Sequence, residues 1–335
     1  VTVNAGGIWG HHIAQMAGAN ISMFPAKGAL LIFAHRVNNV VINRCRKPAN
    51  ADILVPGDTV CVIGTTSTRV PYEECDHLKV TPDEVDLLLT EGAKLAPCLA
   101  ETRVLRAYAG VRPLVSADND PSGRNISRGI VCLDHETRDG IKGFISITGG
   151  KLMTYRLMGE MAADAVCKKL GRDAKCVTAG TPLPGSEPGG IEEISKKIWE
   201  VPTMVQKASV GRFGTQAANL DFDGDVKGSL VCECEEVSVS EVDSAIENLE
   251  VNNLVDLRRR TRFGMGTCQG ELCACRAAGR LAKARKCTAK ARADLKDFMD
   301  ERWKGMYPVA WGETLRESAY TQWVYSEVMG LGEEI

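Results

Sequence analysis

Five cysteines fall within 44 residues of this 335-residue chain: Cys232, Cys234, Cys268, Cys273 and Cys275. Four of them make two close pairs, Cys-x-Cys (232, 234) and Cys-x4-Cys (268, 273), with 33 residues between the pairs. Four thiolates arranged as two pairs can encircle one soft metal centre, and iron–sulfur clusters are held in this way. Zinc sites more often use Cys-x2–4-Cys pairs, whose short turn brings both sulfurs onto one tetrahedral ion. The tight first pair and the wide second pair therefore favour a cluster over zinc. Gly264, Gly266 and Gly270 flank the second pair, where a missing Cβ lets backbone N–H groups approach sulfur. Cys275 is a fifth candidate, read as a non-ligand or a substitute.

The other eight cysteines (Cys45, Cys61, Cys75, Cys98, Cys132, Cys167, Cys176 and Cys287) are scattered, mostly among apolar neighbours. They read as small buried hydrophobes. Thirteen cysteines in all is an odd count, too sparse at this length for a disulfide scaffold. With 44% hydrophobic and 25% charged residues the chain is ordinary globular protein, long enough for two or three domains, and disorder is excluded. The net charge of -2 argues against wholesale nucleic-acid binding. Apolar runs such as Ala29 to Ala34 are far shorter than the ~20 residues of a spanning helix, so no membrane span is expected. No charged-then-apolar leader opens the chain, so no secretory signal is expected either.

Four segments follow from composition and periodicity. Residues 1–176 are rich in short β-type runs (30–33, 37–42, 53–55, 59–63, 130–133 and 144–148) punctuated by turn residues. Among them, Pro82 to Leu95 reads as a helix, with Thr81 and Glu84 as a capping box. Leu152 to Leu170 reads as a longer helix with Leu157, Met161 and Val166 roughly aligned. Residues 177–229 open on a Gly- and Pro-dense linker and continue as a mainly helical segment. Residues 230–286 hold the cysteine module, with helices expected at 238–249, capped by Ser238 and Glu241, and at 254–262. Residues 287–335 form a tail with two expected helices. This order of strands and helices indicates an α/β or α+β body.

Charge within the module is polarised. Positions 233–256 hold eight acids and no bases, whereas 258–292 hold eleven bases and one acid. The basic run reads as a solvated face that also neutralises the acids and thiolates. It lacks the aromatic interleaving of a base-stacking surface, so no nucleic-acid partner is expected.

Three Gly- or Thr-rich turns follow β-type runs in the first half: Asn4-Ala5-Gly6-Gly7, Thr65-Thr66 after Gly64, and Gly149-Gly150-Lys151-Leu152-Met153-Thr154. Each alone is a plain turn more often than a ligand cradle. In this order they suggest close backbone approach to a ligand. Arg112, Arg128 and Lys151 accompany them, and such cations suit a phosphate or carboxylate substrate.

Two resemblances rest on these motifs. Residues 232–276, with the run GMGTCQGELC (264–273), resemble the bacterioferritin-associated-ferredoxin-like 2Fe–2S module, in which the four cysteines matching Cys232, Cys234, Cys268 and Cys273 ligate the cluster. The segments NAGGIW (4–9), FPAKGALLI (24–32), GTTS (64–67), YAGVRPL (108–114) and GGKLMTYR (149–156), together with RWKG (302–305), resemble the FAD-dependent glycerol-3-phosphate dehydrogenase family, within it the branch of anaerobic large subunits. That resemblance implies the α+β choice, the C-terminal part of a DAO-type flavoprotein fold with a mixed or antiparallel sheet. It also implies that Asn4 to Gly7, Thr65, Thr66 and Gly149 to Thr154 lie near FAD, and that Arg112, Arg128 and Lys151 lie at the substrate, with Arg112 and Lys151 in catalysis. A histidine of aerobic relatives is Leu30 here, and an acidic residue after the GTT turn is Ser67. The family's glycine-rich FAD fingerprint precedes the segment matching NAGGIW, so the resemblance implies that a dinucleotide-binding portion is missing from this chain.

The implied activity is FAD-dependent oxidation of sn-glycerol 3-phosphate to dihydroxyacetone phosphate, with electrons relayed through the cluster toward quinone in anaerobic respiration. The implied partners are two further subunits, a second flavoprotein and a membrane-anchoring iron–sulfur protein, which would hold the chain on the cytoplasmic face of the membrane. Two alternatives stay open: a flavoprotein dehydrogenase for another substrate, and an electron-transfer or docking module that is catalytically silent alone.

Overall fold

The computed structural model describes residues 1–115, 126, 129–196, 203–222, 226 and 228–332. Arg128 lies outside the described residues.

The larger sheet is built around β2 (Met23–Phe33). One edge of β2 pairs antiparallel with β7 (Val104–Val115) from Met23↔Val115 to Phe33↔Val104. The other edge carries β6 (Thr68–Arg69) and β5 (Cys61–Gly64), also antiparallel. From β5 the sheet continues to β4 (Ile53–Pro56) and β3 (Ile42–Asn43). Side chains alternate between the two faces of a strand. Ala29, Leu31, Phe33, Leu54 and Ile63 thus share one face with Val85 and Leu88 of α2 (Pro82–Leu95) in a common core. Leu30 and Ile32 turn to the opposite face.

A smaller sheet joins distant parts of the chain. Here β1 (Thr2–Asn4) runs parallel to β9 (Phe144–Gly149), and β8 (Ile130–Asp134) runs antiparallel to it. After β1 the chain forms α1 (Gly10–Met16); between β8 and β9 lies the short α3 (His135–Asp139); after β9 follows α4 (Tyr155–Lys169).

Three sequence expectations need correction. Residues 37–41 form no strand, and only Ile42–Asn43 pair. Asn38 donates to the carbonyls of Val40 and Leu54 instead, so a side chain takes the place of the ladder. Of the eight scattered cysteines only Cys61 and Cys75 are buried, and Cys45, Cys98, Cys176 and Cys287 are exposed. Cys45, Cys176 and Cys287 have charged neighbours, as Cys45 does between Arg44 and Arg46, and Cys98 lies in a surface 3-10 turn, Pro97–Ala100. The expected helix at 152 begins with a 3-10 turn, Leu152–Thr154. Its apolar stripe meets little: Leu157 is exposed, and Ala162 alone in α4 is buried.

Residues 190–222 supply α5 (Gly190–Ser195) and α6 (Thr203–Phe213). The cysteine segment then forms a hairpin, β10 (Leu230–Cys232) and β11 (Val237–Ser238), and three helices: α7 (Val239–Asn248), α8 (Leu254–Thr261) and α9 (Ala274–Arg285). The expected capping box of Ser238 and Glu241 is present. The two charge blocks of this segment meet across it: Arg276 pairs with Glu233, Arg280 with Asp243 and Arg262 with Glu235.

The tail does not stand apart. Its α10 (Thr288–Met306) gives Leu295, Phe298 and Met299 to the core beneath the cysteines, and Val309 just beyond it enters the core of the larger sheet. On the way Gly305 passes Arg106 of β7 so closely that a Cβ would lie 2.5 Å from its Nε. Helix α10 thereby packs against β7 through the Arg106 side chain. The chain then continues through α11 (Gly312–Trp323) into a π-helical turn, Val324–Val328.

Phe298 is 3% exposed and stacks on Phe263 with ring centroids 5.3 Å apart. Phe298→Ala is expected to cost about 3–5 kcal/mol. Urea denaturation followed by circular dichroism should show an earlier loss of the α7–α10 helices.

Candidate functional site

The four cysteines of the two pairs come together. Cys232 ends β10, Cys234 sits in the hairpin turn, Cys268 lies in the loop after α8, and Cys273 opens α9. The Sγ atoms of Cys234 and Cys268 are 3.7 Å apart. Cys273 is hydrogen-bonded to both Cys232 and Cys268. That donation draws the thiols of Cys268 and Cys232 down, to about 5 and about 7, and pushes Cys273 up. Burial pushes Cys234 up. Backbone N–H groups point at the sulfurs as well: those of Gly264 and Glu235 at Cys232, and those of Leu272 and Gly270 at Cys268. Such groups favour thiolate over thiol.

Glycine makes this enclosure possible. A Cβ at Gly266 would lie 2.4 Å from the Cβ of Cys234, and one at Gly270 2.5 Å from the ring of Phe298, where φ is also +92°. Among the described residues no three His, Cys, Asp or Glu side chains are disposed around a lone metal ion. The donor set here is instead four neighbouring thiols under convergent N–H groups, the chemistry a 2Fe–2S cluster requires. Cys275 faces away from them: its Sγ meets the hydroxyl of Tyr325 at 3.6 Å.

A second site lies on the face of the larger sheet opposite α2. Here a cavity of about 1020 Å³ is lined by Leu30, Gly64, Thr65, Arg112 and Lys151, among others. Arg112 reaches across β2: its guanidinium donates to the Thr65 hydroxyl and, at 3.3 Å, to the Thr66 carbonyl. It can do so because residue 28 is glycine; a Cβ there would lie 2.4 Å from its Nη2. Lys151 comes to the same cavity from the turn after β9, where Gly149 (φ +72°) and Gly150 (φ +66°) adopt left-handed backbone that favours glycine.

The parallel pairing of β1 and β9 sends turns 4–7 and 149–154 from the same end of their sheet, the carboxyl end, where α/β ligands bind. Leu152 and Met153 stand 91% and 79% exposed at this end. Exposed apolar side chains above a glycine cradle fit the rim of a site for a large aromatic cofactor such as FAD.

Two expected residues face elsewhere. The Thr66 hydroxyl is buried, accepting from the Ala29 N–H at 2.9 Å and donating to Glu84 at 3.2 Å. The Asn4 amide is buried too, donating to the Gly10 carbonyl at 2.8 Å and to the Ser146 hydroxyl at 3.1 Å. His135 continues this chain, 2.8 Å from Ser146 and 2.5 Å from Asp139. Both residues therefore brace the turns they belong to. Conversely, the cavity wall includes Arg44, Cys45 and Arg46, which no sequence motif marks. Their one signal is a basic run, Arg44 to Lys47. Arg44 and Arg46 both contact Glu91, whose carboxyl is held well below its usual range by Lys94 and Arg44.

The thiol geometry separates ligand from bystander. Cys268→Ser should leave less than half the wild-type iron and acid-labile sulfide per chain, whereas Cys275→Ser should leave both at wild-type level. Iron and sulfide assays on anaerobically reconstituted protein check this.

Comparison with known proteins finds matches to both segments of the chain. Residues 1–156 match the family model described as FAD dependent oxidoreductase (DAO), and residues 230–281 match the BFD-like [2Fe-2S] binding domain. The chain is 59% identical over 334 residues to one of the subunits of the anaerobic glycerol-3-phosphate dehydrogenase of Haemophilus influenzae, covering 99% of this chain and 59% of that protein. Identity to the like-named protein of Escherichia coli (strain K12) is 59% over 335 residues, covering 100% of this chain and 62% of that one. The anaerobic glycerol-3-phosphate dehydrogenase protein of Haloferax volcanii is 38% identical over 336 residues, 99% of this chain and 56% of that protein. The chain thus spans about six-tenths of the length of these relatives. By these matches residues 1–156 are similar to the FAD dependent oxidoreductases and residues 230–281 to the BFD-like [2Fe-2S] binding domains.

Proposed function

We propose that the chain supplies the substrate pocket and the electron outlet of an FAD-dependent dehydrogenase that oxidises sn-glycerol 3-phosphate to dihydroxyacetone phosphate. The observation that carries this reading is the meeting of Arg112, Thr65 and Lys151 at one cavity on the sheet face opposite α2. In the reaction, C2 of the substrate loses a hydride and its hydroxyl loses a proton. FAD, when bound, supplies the acceptor for the hydride.

The chain's own residues do the rest. Arg112, already fixed by Thr65, offers a planar guanidinium to the substrate phosphate. Lys151 places an ammonium where negative charge grows on the C2 oxygen as the proton leaves, and charge held ready there lowers the barrier. Arg128 is the third cation assigned to the substrate. Gly149 to Thr154 and the turn after Asn4 would hold the cofactor. Cys232, Cys234, Cys268 and Cys273 would hold the 2Fe–2S cluster, which when bound would supply one-electron transfer toward quinone. No helix among the described residues is long and apolar enough to cross a membrane. Attachment would come through a membrane-anchoring iron–sulfur subunit, with a second flavoprotein subunit completing the complex at the cytoplasmic face.

The full-length protein tests this. Hydrogen bonds to charged groups contribute about 1.5–3 kcal/mol, so Arg112→Leu should raise KM for glycerol 3-phosphate by about ten- to a hundred-fold. Gly28→Ala should do the same without touching the substrate, because the added methyl displaces the guanidinium, and its unfolding midpoint should stay at wild type. Lys151→Met should lower kcat instead. Wild-type kinetics in all three variants would sink the assignment and leave the chain as an electron-transfer module.

A further inference from the structure

Between the larger sheet and helices α8 and α10 lies a second cavity, of about 460 Å³, bordered by Val62 of β5, Tyr108 of β7, Val255 of α8 and Phe298 of α10. Arg106, Arg258, Arg259 and Arg262 also border it. Arg262 is paired with Glu235 and Asp58. Arg259 is exposed to solvent. Arg106 is buried and donates to the Glu301 carbonyl at 3.0 Å. Arg258 is the one whose charge is left without an answer. It donates to the Gly264 carbonyl and to Oε1 of Gln269, each at 3.3 Å, and both acceptors are neutral. Among the described residues no carboxylate pairs with it.

A largely buried guanidinium facing a second one is a costly arrangement unless an anion compensates it. Burial, and after it the charge of Arg106, bring the Arg258 guanidinium down to about 9. The acceptors of Arg258 show where the compensating anion belongs. Gly264 aims its N–H at the sulfur of Cys232, and Gln269 sits between Cys268 and Gly270 in the loop that carries the second cysteine pair. Among the influences on Arg258, that of Cys273 favours its charged form. Arg258 therefore stands behind the thiols on the side that faces the substrate sheet. Arg302, on the Cys268 side, differs in having Glu271 at 3.3 Å.

We infer that Arg258 is the counter-charge of the cluster, a positioning residue that favours its reduced form and so raises its reduction potential. The inference rests on the reading of the four cysteines as cluster ligands. Reduction adds one electron and neither makes nor breaks a bond, so the reduced cluster differs by one negative charge. A fixed cation close by in a low-dielectric interior stabilises that extra charge, and net charge and hydrogen bonding are the levers that set such potentials. The same cation would help draw electrons from the substrate side of the sheet to the cluster.

The test uses the full-length protein reconstituted anaerobically with iron and sulfide. Iron and sulfide per chain are measured first, followed by a potentiometric titration read by electron paramagnetic resonance. Arg258→Gln is expected to load fully and titrate at a more negative midpoint, with Arg258→Lys staying close to wild type. A loaded Arg258→Gln protein with the wild-type midpoint would overturn the inference. A shift in Arg258→Lys as large as in Arg258→Gln would overturn it too, by assigning the effect to shape. Should Arg258→Gln not load, Arg106→Gln decides, because it removes the neighbouring charge without touching a cysteine loop. A smaller shift in the same direction supports the inference, and an unmoved midpoint ends it. Absence of iron and sulfide from wild-type protein would instead remove the cluster reading itself.

Discussion

The stretch from α10 to Val309 enters two hydrophobic cores, and most of the architecture depends on that double burial. Phe298 and Met299 close the core under the cysteines, while Val309, just past the helix, fills the core between the larger sheet and α2. Between these anchors Arg302 reaches the Cys268 carbonyl at 3.5 Å, and Arg106 of β7 donates to the Glu301 carbonyl at 3.0 Å. Burying apolar surface gives no direction by itself. Direction comes from the two polar contacts, which fix how far along the helix each body sits.

Local interactions were the legible part of the sequence. The capping boxes of Thr81 with Glu84 and of Ser238 with Glu241 involve residues three apart, and both helices begin where those residues place them. The two cysteine pairs were equally readable, since spacing alone announces a shared centre. Strand lengths were not. The run Leu30 to Phe33 proves to be the end of an eleven-residue strand because β7, some eighty positions away in sequence, pairs along all of it. Residues 37–41 have strand composition, yet Asn38 holds them in a loop by bonding to Leu54. No local pattern could report either fact.

The candidate substrate site divides in the same way. Thr65, Arg112 and Lys151 belong to recognisable motifs and meet at one cavity. Thr66 and Asn4 belong to the same motifs but turn inward, where their hydroxyl and amide satisfy buried backbone groups. A motif fixes which residues share a turn, and the neighbouring strands decide which of them look outward. Arg44 and Arg46 stayed hidden for a related reason. Their contact with Glu91 is made through folding, and only that contact brings them to the cavity wall.

The turn at Pro56 to Thr59 and the loop after Cys234 share a single buried carboxylate. Glu235 accepts from the Thr59 hydroxyl at 2.6 Å and from Arg262 at 2.8 Å, and Arg262 also meets Asp58 at 3.0 Å. Removing one partner of a buried charge costs about 3–5 kcal/mol, so substitutions at these four positions are constrained to occur in concert. The segment matches the BFD-like [2Fe-2S] binding domain, yet here it is tied to the sheet by these side chains. A homologous module grafted onto this sheet would carry its own residue at position 235 to a turn that was not selected to receive it.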